Sequence, residues 1–162
     1  MLILYISQMK KLLQKIKNKN CKIFVAGCGY TGLPIAIKIS SKKIKTFGFD
    51  INLKLINKLK NEYSNRYLTF TNKINYISKA DIILIALPTP LTKNYDPDLS
   101  YIQSFLNDSK KYLRKNQILI LESTSYPGTT NEIVRPLIEK KFNIGKNFYL
   151  GYSPERIDPG RN

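Results

Sequence analysis

Six consecutive residues, Gly27-Cys28-Gly29-Tyr30-Thr31-Gly32, carry the spacing G-x-G-x-x-G. The apolar string Lys-Ile-Phe-Val-Ala precedes them, and apolar residues at helical spacing follow. A glycine loop between a strand and a helix can hold a pyrophosphate. Gly27 permits the tight turn, Gly29 lets the backbone approach the phosphates, and Gly32 lets the helix pack close. Tyr30 and Thr31 belong to the same loop, where the helix amino end offers N–H groups and positive dipole. Asp50 closes Phe-Gly-Phe-Asp at the spacing expected of a carboxylate that binds a ribose 2′-hydroxyl. An acid there selects NAD, since it repels the 2′-phosphate of NADP. The plainer reading is a glycine turn and a helix-capping aspartate. The strand before, the helix after and the acid at the next strand end favour dinucleotide binding.

Three further groups follow later strands. Pro88-Thr89-Pro90 stands at the carboxyl end of a strongly apolar run, where ligands of parallel sheets bind. Ser123 and Thr124 end the next run, and Glu155 follows the last. Each alone has an ordinary explanation: a strand terminator, a loop pair, a solvated charge. Together they bring polar residues to one rim beside the expected cofactor.

The elements that must position these groups alternate. Strands are predicted at 22–27, 44–50, 67–71, 81–87, 117–122 and 147–152, the fourth too apolar to be half exposed. Helices are predicted at 31–41, 53–63, 99–113 and 129–140. Such alternation implies right-handed crossovers and a parallel sheet covered on both faces. The expected fold is therefore α/β, a Rossmann-type doubly wound parallel sheet. Residues 1–20 form a separate amphipathic amino-terminal helix, with Leu12, Leu13 and Ile16 set among Lys10, Lys11, Lys15 and Lys17. It is expected to pack on the domain edge, a membrane surface being the alternative. Residues 21–162 form the nucleotide-binding domain.

Composition narrows the function. The 162 residues carry 27 Lys and Arg against 11 Asp and Glu, a formal charge of +16. The lysines run along the whole chain with Asn and Ile, which fits a biased coding composition better than a polyanion-binding face. No zinc spacing, helix-turn-helix pattern or aromatic-lined basic sheet points to nucleic acid, and no nucleic-acid partner is expected. Histidine is absent, so no imidazole base or ligand is available within this chain, and no metal site is expected. Cys21 and Cys28 flank an extended segment that holds them beyond the roughly 4.4–6.8 Å Cα separation of a disulfide. Two reduced thiols point to the cytoplasm. The opening apolar run lacks a preceding positive charge and is too short to span a bilayer, so no membrane association is expected.

The strings Gly-Cys-Gly-Tyr-Thr-Gly-Leu-Pro, Leu-Pro-Thr-Pro-Leu, Asp-Pro-Asp-Leu-Ser-Tyr, Glu-Ser-Thr-Ser-Tyr-Pro-Gly-Thr-Thr and Ser-Pro-Glu-Arg-Ile-Asp-Pro-Gly resemble, in order, the amino-terminal domain of the UDP-glucose/GDP-mannose dehydrogenase family. The last string is most similar to the UDP-N-acetylhexosamine branch, UDP-N-acetylglucosamine 6-dehydrogenases in particular. The resemblance implies oxidation of the C6 alcohol of a UDP-sugar to the uronic acid with two NAD, in polysaccharide precursor synthesis. It assigns Gly27, Gly29, Gly32 and Asp50 to the cofactor loop and ribose, and Thr89 to the cofactor's neighbourhood. Thr124 is implied to place a catalytic water, and Glu155 to assist the acyl steps. The family's nucleophilic cysteine, its oxyanion-stabilising lysine and its dimerising and UDP-binding portions are expected beyond residue 162. The isolated chain is then expected to bind NAD without turnover and to expose apolar surface that promotes self-association. A UDP-sugar partner requires the missing domains, and full-length relatives are expected to be homo-oligomers. The competing readings are another NAD-dependent dehydrogenase, of 3-hydroxy-acid type, and a non-catalytic NAD- or polyanion-binding module.

Overall fold

The computed structural model describes residues 2–154, with side chains from Met9 onward. Six parallel strands form one sheet in the order β3-β2-β1-β4-β5-β6. They are β1 (Lys22–Ala26), β2 (Lys45–Phe49), β3 (Leu68–Thr71), β4 (Ile82–Ile85), β5 (Ile118–Leu121) and β6 (Tyr149–Tyr152). Helices α1 (Leu2–Lys17), α2 (Gly32–Ser41), α3 (Leu53–Glu62), α4 (Ser100–Ser109) and α5 (Arg135–Glu139) flank it. The chain starts in the centre, winds out to β3, and returns to lay β4 on the other side of β1. The connections after β1 and β4 therefore diverge, and a crevice opens at their carboxyl ends.

Alternation along the central strands explains why both faces are covered. Phe24, Ala26, Ile83 and Ile85 face one core, packed with Ile102, Phe105 and Leu106 of α4. Ile23, Val25, Ile82 and Leu84 face the other, packed with Ala36 of α2. Successive side chains of a strand point to opposite faces, so a run apolar at every position needs two covers. Phe24, Phe49 and Phe105 stack at centroid distances of 5.4, 6.3 and 6.0 Å and fix α4 on the sheet.

All six expected strands form, and the doubly wound fold is as the sequence implies. Two helices differ. The segment 129–140 is not one α-helix: Thr130–Val134 is a wide π turn, and α5 begins only at Arg135. Pro136 has no N–H to give Glu132, and its ring would meet that carbonyl. The backbone answers by widening, so that Arg135 N–H reaches the carbonyl of Thr130. Helix α4 also stops short of Leu113, at Ser109. Lys141 Nζ donates to the carbonyls of Lys110 and Leu113 at 2.9 Å each and satisfies groups left by that early end. A 3₁₀ turn over Ile74–Lys79 had no signal in the sequence pattern.

The amino edge of the sheet is held by polar groups. Asp81, buried just before β4, accepts from Lys15 Nζ of α1 at 2.9 Å, Lys22 N–H at 2.9 Å and Arg114 at 3.2 Å. Buried Gln117 donates from its amide nitrogen to the carbonyls of Ile77 and Ala80, and its oxygen accepts from Arg114 N–H. Helix α1, β1 and the segment before β5 are thus tied to one carboxylate, and Arg114 and Gln117 tie that segment to the 3₁₀ turn. Burial raises the Asp81 pKa, but the donors from Lys15, Lys22 and Arg114 outweigh it and hold the carboxyl below its ordinary value.

A depressed folded pKa adds stability that is complete above the unfolded value of about 3.9 and disappears as pH falls through the folded one. Asp81→Asn should therefore cost about 1–3 kcal/mol at neutral pH. The gap from wild type should be smaller in acid, well below the ordinary carboxylate range, than at neutral pH, because Asp81 there takes up its proton. Urea denaturation at the two pH values checks this, and a gap independent of pH would refute the assignment.

Candidate functional site

The crevice at the carboxyl edge holds a cavity of about 460 Å³, within the usual size of ligand sites. Its wall includes Gly27, Gly29, Tyr30 and Thr31 from the β1–α2 loop, Asp50 and Ile51 after β2, and Leu87 and Pro88 after β4. A second cavity of about 180 Å³ shares Thr31, Ala86, Leu87 and Pro88 with it and adds Thr89, Glu122, Ser123 and Thr124. The polar groups that the sequence placed on one rim therefore do converge, with Glu155 the exception: it lies outside the described residues.

The three glycines differ in what they face. Gly27 has φ +93°, and a Cβ there would stand 2.4 Å from the Ala86 carbonyl oxygen. A Cβ on Gly32 would be 1.9 Å from the Gly27 carbonyl oxygen. These two let the loop, α2 and the end of β4 meet. Gly29 has no heavy atom within 4 Å of its would-be Cβ. Open space at the middle glycine, on the cavity wall, is a cradle that a ligand rather than the protein fills. Thr31 precedes α2 without a side-chain cap, so its hydroxyl does not occupy the N–H groups there.

Asp50 ties the loop together. One carboxylate oxygen accepts from Cys28 N–H at 3.0 Å, and the other accepts from Asn52 N–H at 2.9 Å. The helix cap proper is Asn52, whose side chain accepts from Leu55 N–H. Asp50 is thus not the capping residue of α3, and it lines the cavity. Cys28 points the other way, into a cluster with Ile56, Leu59 and Phe70. Burial, with the Asp50 charge adding to it, pushes its thiol up to about 12. Cys21 is buried at the amino edge, where burial and Asp81 raise its pKa. Both cysteines are free thiols, and neither supplies a thiolate near neutral pH.

The smaller cavity is organised by hydroxyls. Buried Ser123 donates to the Leu87 carbonyl at 2.7 Å and clamps β5 to the end of β4. Its proton is therefore used in the scaffold. Thr89 Oγ1 donates to the Thr124 carbonyl at 2.7 Å and joins the two loops. Thr124 itself is exposed at the rim. Sequence reasoning missed Glu122, which lines this cavity, and the face of α4 that walls the larger one: Tyr101, Ser104, Phe105 and Asp108. The α4 signal was present as i, i+3, i+4, i+7 spacing, but half of that stripe is polar, so apolar periodicity does not single it out.

Among the described residues no group of three or more His, Cys, Asp or Glu side chains could hold a metal ion, and no helix is long and apolar enough to cross a membrane.

Residues 21–162 match the model of the UDP-glucose/GDP-mannose dehydrogenase family, NAD binding domain. The chain belongs to this family. It is 40% identical over 154 residues to Protein CapL of Staphylococcus aureus, covering 87% of this chain and 36% of that protein. It is 35% identical to the UDP-N-acetyl-D-glucosamine 6-dehydrogenase of Pseudomonas aeruginosa, covering 88% and 37%. Among solved structures, the UDP-N-acetyl-mannosamine dehydrogenase Cap5O from Staphylococcus aureus superposes with a TM-score of 0.77 at 31% identity, covering 86% and 38%. The chain thus spans a little over a third of the length of these family members, and that third is the NAD-binding domain. The domain's cofactor fits what is built here: open space at Gly29 and the Asp50 carboxylate on the same cavity wall.

The glycines should separate under substitution. Gly32→Ala should destabilise by about 2 kcal/mol or more, since backbone must move. Gly29→Ala should stay within about 0.5 kcal/mol of wild type. Chemical denaturation of the two variants distinguishes them, and equal losses would contradict the geometry.

Proposed function

We propose that this chain is the NAD-binding part of a nucleotide-sugar 6-dehydrogenase that oxidises the C6 alcohol of a UDP-N-acetylhexosamine. One observation carries the reading: the glycine loop and Asp50 share a continuous crevice with Thr89 and Thr124. The names of the relatives support the UDP-N-acetylhexosamine class. Oxidation of a primary alcohol to a carboxylate consumes water and removes four electrons, which calls for two NAD molecules per sugar. When bound, NAD supplies the hydride acceptor.

The chain's residues have distinct roles in this reading. Backbone N–H groups of the Gly27–Gly32 loop hold the pyrophosphate at the α2 amino end. Asp50, oriented by two backbone donors, accepts from the ribose hydroxyls. Pro88, Thr89, Ser123 and Thr124 shape the nicotinamide end, with Ser123 acting through the β4 backbone. Thr124 and Glu155 are the groups that hold and move water and protons at the reacting carbon. Neither Cys21 nor Cys28 can act as a nucleophile, so the second oxidation draws its thiol from the portion of the relatives that this chain does not span. The reaction belongs in the cytoplasm, in the supply of polysaccharide precursors.

Calorimetric titration tests the cofactor reading. NAD should bind saturably and NADP at least about tenfold more weakly, and Asp50→Ala should narrow that gap. Absence of NAD binding would sink the proposal. With UDP-N-acetylglucosamine and NAD, the 162-residue chain should produce no NADH above background. Formation of the uronic acid with two NADH per sugar would show that a nucleophile exists within it.

A further inference from the structure

The cofactor crevice has a far wall to which the assignment above gives no role. The 180 and 460 Å³ cavities share Thr31, Ala86, Leu87 and Pro88. The larger one in turn shares Phe49, Ile51, Ile74 and Asp108 with a third, of about 440 Å³. No residue of the glycine loop lines the third cavity. The three therefore form one trough with a fixed order: Thr124 and Thr89, the glycine loop with Asp50, then Ile51 and Ile74, and Asp108 at the end.

That end has the chemistry of a purine slot. Ile51, 81% exposed and placed after β2, and Tyr101, 47% exposed and carried by α4, both line the larger cavity with large apolar surfaces that the protein itself leaves exposed. Ile74 and Phe49 complete the apolar lining. Asp108 is the carboxylate on this stretch of wall, and it makes no hydrogen bond or ion pair among the described residues. Its position is firm despite exposure. Phe105, nearly one turn earlier, is buried against Phe24 and Phe49 and locks α4 to the sheet. A carboxylate only accepts hydrogen bonds, and adenine presents a donor in its 6-amino group.

We infer that Asp108 reads the adenine base of the dinucleotide, accepting from its 6-amino group while Ile51 and Tyr101 hold the ring between them. The inference rests on the NAD reading and adds base discrimination to it. Asp50 recognises the ribose, and Asp108 recognises the base. A dinucleotide carrying hypoxanthine has a carbonyl where adenine has the amino group, and that carbonyl would face the carboxylate.

The test titrates wild type, Asp108→Ala and Asp108→Asn with NAD and with nicotinamide hypoxanthine dinucleotide, and records a thermal melt of each protein. Wild type should bind NAD about tenfold more tightly than the analogue. Asp108→Ala should weaken NAD but not the analogue, bringing the ratio within about threefold. Asp108→Asn, whose amide can turn its NH₂ toward a carbonyl, should gain affinity for the analogue. A wild type that binds both ligands equally, or a ratio unchanged in both variants, overturns the role of Asp108 and leaves the NAD reading standing. Failure of wild type to bind either dinucleotide overturns both.

Discussion

The architecture depends on a place where backbone touches backbone. The turn after β1, the start of α2 and the end of β4 converge so closely that neither Gly27 nor Gly32 has room for a Cβ. This contact sets the distance between the two strands whose connections diverge, and so it sets the crevice. Gly27 N–H also donates to the Phe49 carbonyl at 2.8 Å, which carries the constraint to β2 and its terminal Asp50. Because the packed glycines leave α2 hard against the sheet, its amino end has to open into the crevice rather than into solvent or core.

The same loop shows how neighbours in sequence can have opposite fates. Gly29 faces space, while Cys28 faces a packed cluster beneath it, its N–H held by Asp50. A thiol in that setting loses the solvation its anion needs, and the adjacent carboxylate opposes the negative charge further. The cysteine nearest the cofactor site is thus the least suited to covalent chemistry. The ends of β4 and β5 instead bring hydroxyls to the crevice, where Ser123 and Thr89 spend their protons fixing the loops.

The two edges of the sheet divide the labour. At the carboxyl edge, the glycine loop, Asp50, Thr89 and Thr124 line two adjoining cavities. At the amino edge, Asp81 accepts from α1, β1 and the segment before β5, and Gln117 donates to the carbonyls of Ile77 and Ala80.

Much of this was legible in the sequence, because it rests on local rules. Apolar runs of four or five residues must be buried strands, glycines at fixed spacing mark the loop, and alternation of strand and helix dictates a parallel sheet. The strings Pro88-Thr89-Pro90 and Ser123-Thr124 could be placed on one rim for the same reason. What the sequence could not determine involves residues distant along the chain. The pairing of Asp81 with Lys15 and Arg114 depends on three separate elements meeting at one edge. That α4 turns Tyr101 and Asp108 to the crevice depends on Phe105 stacking with Phe24 and Phe49. The sequence pattern predicts one helix over 129–140 through Pro136, whereas the backbone widens before it, with Val134 and Ile138 both in the core. The sequence alone determined the order of elements and the loop that holds a dinucleotide. Tertiary packing alone decided which side chains surround it, since periodicity gives a side chain its face but not its neighbour.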